Sequence, residues 1–186
     1  MTNLNVAVSA SLAGILSINE NIASLQEEAK AARKAAIEPF LEALAASGEV
    51  SLVVVRGHTP GFNDGEPCEH SAEMFVNIKK AKEEDVLDGD FGIDLPEELV
   101  EGLVDEVSYE RPSYKRIVNE GALAANIALC REHGHVYGEP SAEILKALNA
   151  VIFDTVEEEN ETNYYVTYVL TDGKFEVSTG EYDCGY

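Results

Sequence analysis

The residues best equipped for chemistry fall into two small groups. All four histidines lie close in sequence to a cysteine: His58 and His70 flank Cys68, and His133 and His135 follow Cys130. Zinc takes four nitrogen or sulfur ligands in a tetrahedral array, and Cys68-x-His70 with Cys130-x2-His133 could supply two pairs. The spacing is not that of a finger, and Cys-x-His is tight for two ligands on one ion. Cys130 therefore reads as a buried packing residue, His133 and His135 beside Gly134 as a helix-end cluster, and no metal is expected. A Cys-His nucleophile needs an orienting third residue and an oxyanion hole; the sequence marks neither. Asp88-Gly89-Asp90-Phe91-Gly92 has the wrong flanks for a phosphate loop and lacks the distal ligand of a calcium loop. No cofactor and no enzymatic activity are expected from these patterns.

Carboxylates are the other resource. The 186 residues carry 35 acids against 13 bases, a formal charge of −22. Twelve of the acids fall between Glu83 and Glu110, where there is no Lys or Arg. Pro96 stands at a good first helical position, and Leu99, Val100, Leu103, Val104 and Val107 form an apolar stripe beyond it. That stripe should fix the segment on the body and leave Glu97, Glu98, Glu101, Asp105 and Glu106 as the candidate partner-binding residues. A phosphate backbone is repelled by such a surface, as is an anionic membrane. Basic proteins and metal cations remain compatible partners. The bland alternative is a solvated face that only keeps the chain in solution.

These side chains need a frame. Ser17 and Glu20 have capping-box spacing, and Ile22, Leu25, Ala29, Ala32 and Ala36 recur at helical spacing up to a stop at Gly48, with a kink or break at Pro39. This segment (1–48) is expected to pack on an α+β body (49–186), the whole being one domain. Val50–Arg56 reads as a buried strand and Ala72–Ile78 as a half-buried antiparallel neighbour. Ser113–Glu132 and Ser141–Thr155 read as helices, the second capped by Ser141. Tyr164–Leu170 and Lys174–Val177 flank Asp172-Gly173, a strong hairpin turn. The expected class is α+β: a mainly antiparallel sheet of about four strands with helices on one face.

The loop Gly57-His58-Thr59-Pro60-Gly61-Phe62-Asn63-Asp64-Gly65-Glu66-Pro67-Cys68 follows the first strand. It resembles a family of uncharacterised phage and bacterial proteins with a Tyr-Thr-Pro-Tyr-Phe-Asn-Asp-Gly-Asp-Pro-Cys core, and eight of eleven positions agree. His58 and Gly61 replace two of that family's aromatics. Asp172-Gly173 and Glu181-Tyr182-Asp183 are similar to its terminal hairpin and acidic tail. The resemblance implies a phage source and carries no activity. Physically, Asn63-Asp64-Gly65 suits an Asx turn, the prolines restrict both sides, and Phe62 suits a core anchor. Phe62, Asn63, Asp64, Gly65 and Cys68 thus read as a structural loop.

Three cysteines cannot all pair within one chain, and no basic region precedes the apolar N-terminal residues, so a reducing cytoplasmic setting is expected, that of an infected bacterium for a phage protein. The favoured function is an acidic protein-binding module: a phage effector that blocks a basic surface of a host protein, of which nucleic-acid mimicry is one form. A virion or assembly subunit, built through homo-oligomer contacts of the N-terminal helix, is the first alternative; a small metalloprotein or enzyme is the second.

Overall fold

The computed structural model describes residues 2–61, 68–79 and 95–182, with side chains from residue 12 onward. One helix, α1 (Thr2–Ser47), leads into a four-stranded antiparallel sheet of order β2-β1-β5-β6, built from β1 (Leu52–His58), β2 (Ser71–Val76), β5 (Tyr164–Thr171) and β6 (Lys174–Glu181). Between β2 and β5 come α2 (Glu97–Gly102), a separate hairpin of β3 (Val107–Glu110) and β4 (Lys115–Val118), and α3 (Glu120–Glu132). Then α4 (Ala142–Leu148), a π-helical turn (Asn149–Phe153) and α5 (Asp154–Glu159) follow without a break. The class is α+β, as the grouped strand and helix patterns imply.

The central strand explains the layering. Leu52, Val53, Val54 and Val55 are all buried, so β1 needs cover on both faces. Val53 and Val55 pack with Tyr164, Val166 and Tyr168 against Leu44 of α1, Leu148 of α4, Ile152 of the π-turn and Val156 of α5. Leu52 and Val54 pack on the opposite face with Leu99, Leu103 and Cys130. Helices thus cover both faces of the sheet, where one was expected. The unbroken apolar run in β1 is the cause, because a strand covered on one side alternates.

The two hairpins of the main sheet match their sequence signals. Val54 lies opposite Phe75, and Val53 opposite Tyr168 on the other side. Asp172 (φ 49°) and Gly173 (φ 79°) both take the left-handed conformation that a two-residue hairpin turn demands, with Thr171 opposite Lys174. Asn77 is also left-handed (φ 60°) and buried. Its Oδ1 accepts from the Ser51 N–H at 2.9 Å, and its Nδ2 donates to the carbonyls of Glu49 and Gly138. One short side chain therefore joins the entry to β1, the exit of β2 and the segment before α4.

Four local expectations need correction. Ser17 and Glu20 lie inside α1, which already begins at Thr2. A capping box matters only where the chain must leave the helix, and residues 2–16 hold no Pro and a single Gly, Gly14, to stop it. Pro39 does not split α1. The lost hydrogen bond and ring clash cost about 3 kcal/mol in an open helix, and packing of Ile37, Phe40, Leu41 and Leu44 into the core offsets them. Lys115–Val118 is a strand rather than the start of a helix, and Val107 belongs to its partner strand. Ser141 precedes α4 but makes no side-chain cap; its N–H instead donates to Glu49 Oε2 at 2.9 Å.

Candidate functional site

Within the acidic segment the described residues run from Leu95 onward. Pro96 is the N-cap of α2 rather than its first residue, and its carbonyl accepts from the Leu99 and Val100 N–H groups. Leu99 and Leu103 are buried, and the backbone at Gly102 lies so close to Leu129 that an added methyl would stand 2.5 Å from its Cδ2. The helix is short but held on α3. Glu97, Glu98, Glu101 and Asp105 point to solvent. None of the four forms an ion pair among the described residues. Glu97/Glu101 and Glu98/Glu101 are like-charge pairs at helical spacing, each costing roughly 0.2–0.5 kcal/mol, and no base sits in the last turn to offset them.

Glu106 departs from the other four. It is only 7% exposed, and its carboxylate accepts from Tyr137 Oη at 2.7 Å and Asn126 Nδ2 at 3.1 Å. It is a structural anchor, not a surface contact, because two donors from the body draw it inward. Asn126, fully buried on α3, also accepts from the Val104 N–H at 3.0 Å and donates to the Val104 carbonyl at 2.8 Å. The Asn119 N–H closes the assembly on the Glu106 carbonyl at 2.7 Å. Asn126 and Tyr137 are thus the positioning residues of the acidic face. One signal for Asn126 was present in the sequence: it stands four residues before Cys130 on the inward side of α3.

The histidine and cysteine groups divide among different places. Cys68 is exposed, whereas Cys130 is buried among Leu52, Val54 and Ile78. His70 sits at the mouth of the β1–β2 hairpin, with Thr59 Oγ1 3.2 Å from Nδ1 and Glu157 Oε1 3.4 Å from Nε2. Tyr164, whose ring stacks on His70, donates its hydroxyl to the same Glu157 oxygen. His133 caps α3, followed by left-handed Gly134 (φ 78°). His135 lines an open cleft of about 430 Å³ with Ser51, Arg131 and Tyr137, and its buried Nδ1 has no hydrogen-bond partner among the described residues. Burial, then the neighbouring His133, lowers its pKa below the ordinary 6.5. Among the described residues, no group of three or more His, Cys, Asp or Glu side chains is arranged to hold a metal ion. Phe62, Asn63, Asp64 and Gly65 of the resembling loop lie outside the described residues.

The chain matches no family model, no curated protein and no solved structure. Among the described residues, no helix is long and apolar enough to cross a membrane.

Proposed function

We propose that the chain is an acidic protein-binding module whose exposed carboxylates, Glu97, Glu98, Glu101 and Asp105, engage a basic surface of a protein partner. The observation that carries this reading is a set of carboxylates with no ion pair among the described residues, held at fixed positions by buried Leu99, Leu103 and Glu106. A face that only solubilises usually intersperses both signs, yet Glu83–Glu110 contains no base. Three carboxylates over the five residues Glu97–Glu101 span about 6 Å at the helical rise. That local density matches or exceeds the one phosphate per roughly 3.4 Å of a nucleic-acid strand. A basic, nucleic-acid-binding surface is the partner chemistry such spacing suits. Together with the loop resemblance, the reading is of a phage effector acting in the cytoplasm of its bacterial host, without catalysis of its own.

The test is capture from bacterial lysate by wild type and by the triple variant Glu98→Lys, Glu101→Lys, Asp105→Lys. Exposed substitutions change stability by about 0.5 kcal/mol or less, and circular dichroism checks that folding is intact. A specific basic protein should be held by wild type and lost by about tenfold or more in the variant, roughly 1.4 kcal/mol of affinity. Equal capture by both proteins means the carboxylates only solubilise.

A further inference from the structure

The face of α1 that points away from the body carries a different chemistry. Ile37, Phe40, Leu41 and Leu44 pack into the core, but residues 12–29 are exposed throughout. That stretch includes Leu12, Ile15, Leu16, Ile18, Ile22 and Leu25, each between 48% and 64% exposed. Ile15, Ile18, Ile22, Leu25, Ala29, Ala32 and Ala36 recur at alternating steps of three and four residues. This is a heptad seam over three repeats, and the sequence continues it backwards at Ser11, Val8 and Leu4. Polar contact with the body begins at Arg33 and Lys34, which pair with Glu158 and Glu159, and apolar contact begins at Ile37, one residue and about 100° of rotation beyond Ala36. The seam is therefore a second face, not an extension of the one already buried.

A strict seven-residue apolar repeat winds helices around one another, because it keeps the seam facing a partner of equal pitch. We infer that α1 self-associates, its seam meeting the same seam of a second copy of this chain in parallel and in register. Charge supports this occupant. Glu20 is the one ionised side chain between Leu12 and Gln26, and it falls opposite the seam, while Asn19, Asn21 and Gln26 line the seam's edges. Two copies of a chain with charge −22 can thus approach along this segment without facing acid against acid. Parallel pairing also sets Glu28 of one copy, at the last edge position of its heptad, toward Arg33 five residues on in the other. Arg33 already reaches Glu158 of its own chain, and its planar fork offers further donors. Ile15 and Ile22 occupy the first core position, and Ile18 and Leu25 the second; in parallel coiled coils Ile at the first with Leu at the second suits two strands and Ile at both suits three or four. The inference is independent of the acidic-face reading, since none of the seam residues belongs to that surface.

Light scattering on the eluting full-length chain at micromolar concentration should give a closed oligomer. Ile15→Glu with Ile22→Glu should convert it to monomer and leave the circular dichroism of the sheet unchanged, because neither side chain touches the body. Leu16→Glu, off the seam, should leave the oligomer in place. Ile18→Cys should crosslink residue 18 to residue 18 on oxidation, as mapped by peptide mass spectrometry. A monomeric wild type, an oligomer indifferent to the Ile15/Ile22 change, or a residue-18 cysteine that pairs only elsewhere would each overturn the inference.

Discussion

Replacing Asn126 with Ala should cost about 3 kcal/mol, and the figure follows from the bonds it makes. The side chain is fully buried and has two good hydrogen bonds to the Val104 backbone and one to the Glu106 carboxylate. A neutral bond contributes about 1 kcal/mol net and one to a charged group about 1.5–3 kcal/mol, which sums to roughly 4 kcal/mol. Val104 is 47% exposed, so water recovers part of the loss at its backbone. In urea, with a slope of about 2 kcal/mol per molar, the midpoint should fall by about 1.5 M at unchanged slope. Asn126→Asp supplies the control. It keeps an acceptor for the Val104 N–H but removes both donors and sets a second carboxylate beside Glu106, so at neutral pH it should be worse than Ala. The gap should narrow as pH falls into the carboxylate range, about 4. Denaturation followed by circular dichroism at both pH values measures this. A midpoint shift under about 0.5 M for Ala, or an Asp variant milder than Ala, would refute the claim that this network pins the acidic segment.

Other expectations follow from single residues. His135 has a lowered pKa through burial and His133; its neutral form contributes stability that is complete above about pH 6.5. That stability is lost as pH falls through the lower folded value, because the unfolded imidazole binds its proton first. Urea midpoints across this window should drop in wild type and drop less in His135→Gln. Asn77→Ala should cost about 3 kcal/mol by the same chemical denaturation, since it removes one buried and two part-buried hydrogen bonds and places Ala at φ 60°. Gly57→Ala should lower the melting temperature by several degrees, because its methyl would stand 2.5 Å from the Tyr164 ring on the neighbouring strand.

The legible parts of this chain are those where a local pattern and its tertiary setting agree. Val53–Arg56, Tyr164–Leu170 and the Asp172-Gly173 turn carry strong β-branched, aromatic and turn chemistry, and they pair in the sheet as those signals require. The stripe at Leu99 and Leu103 announced the inward side of α2. Lys115-Arg116-Ile117-Val118 was opaque because all four residues of β4 are exposed, so burial imposes no alternation on them. Glu106 was misplaced for the opposite reason. A glutamate reads as surface unless its donors are known, and Asn126 and Tyr137 come from 20 and 31 residues away. The early start of α1 was hidden by a capping motif at Ser17 that the structure does not use.

If the acidic face makes a steered contact with a basic protein, the salt dependence of its association rate reports it directly. With the captured partner immobilised, association is followed at graded salt for wild type and for the Glu98/Glu101/Asp105 to Lys variant. Charges on this face are screened over roughly 8 Å at physiological ionic strength. The wild-type rate should fall steeply as salt rises, and the variant rate should start lower and be nearly flat, with dissociation changing less than association. Equal salt slopes for the two proteins would contradict it.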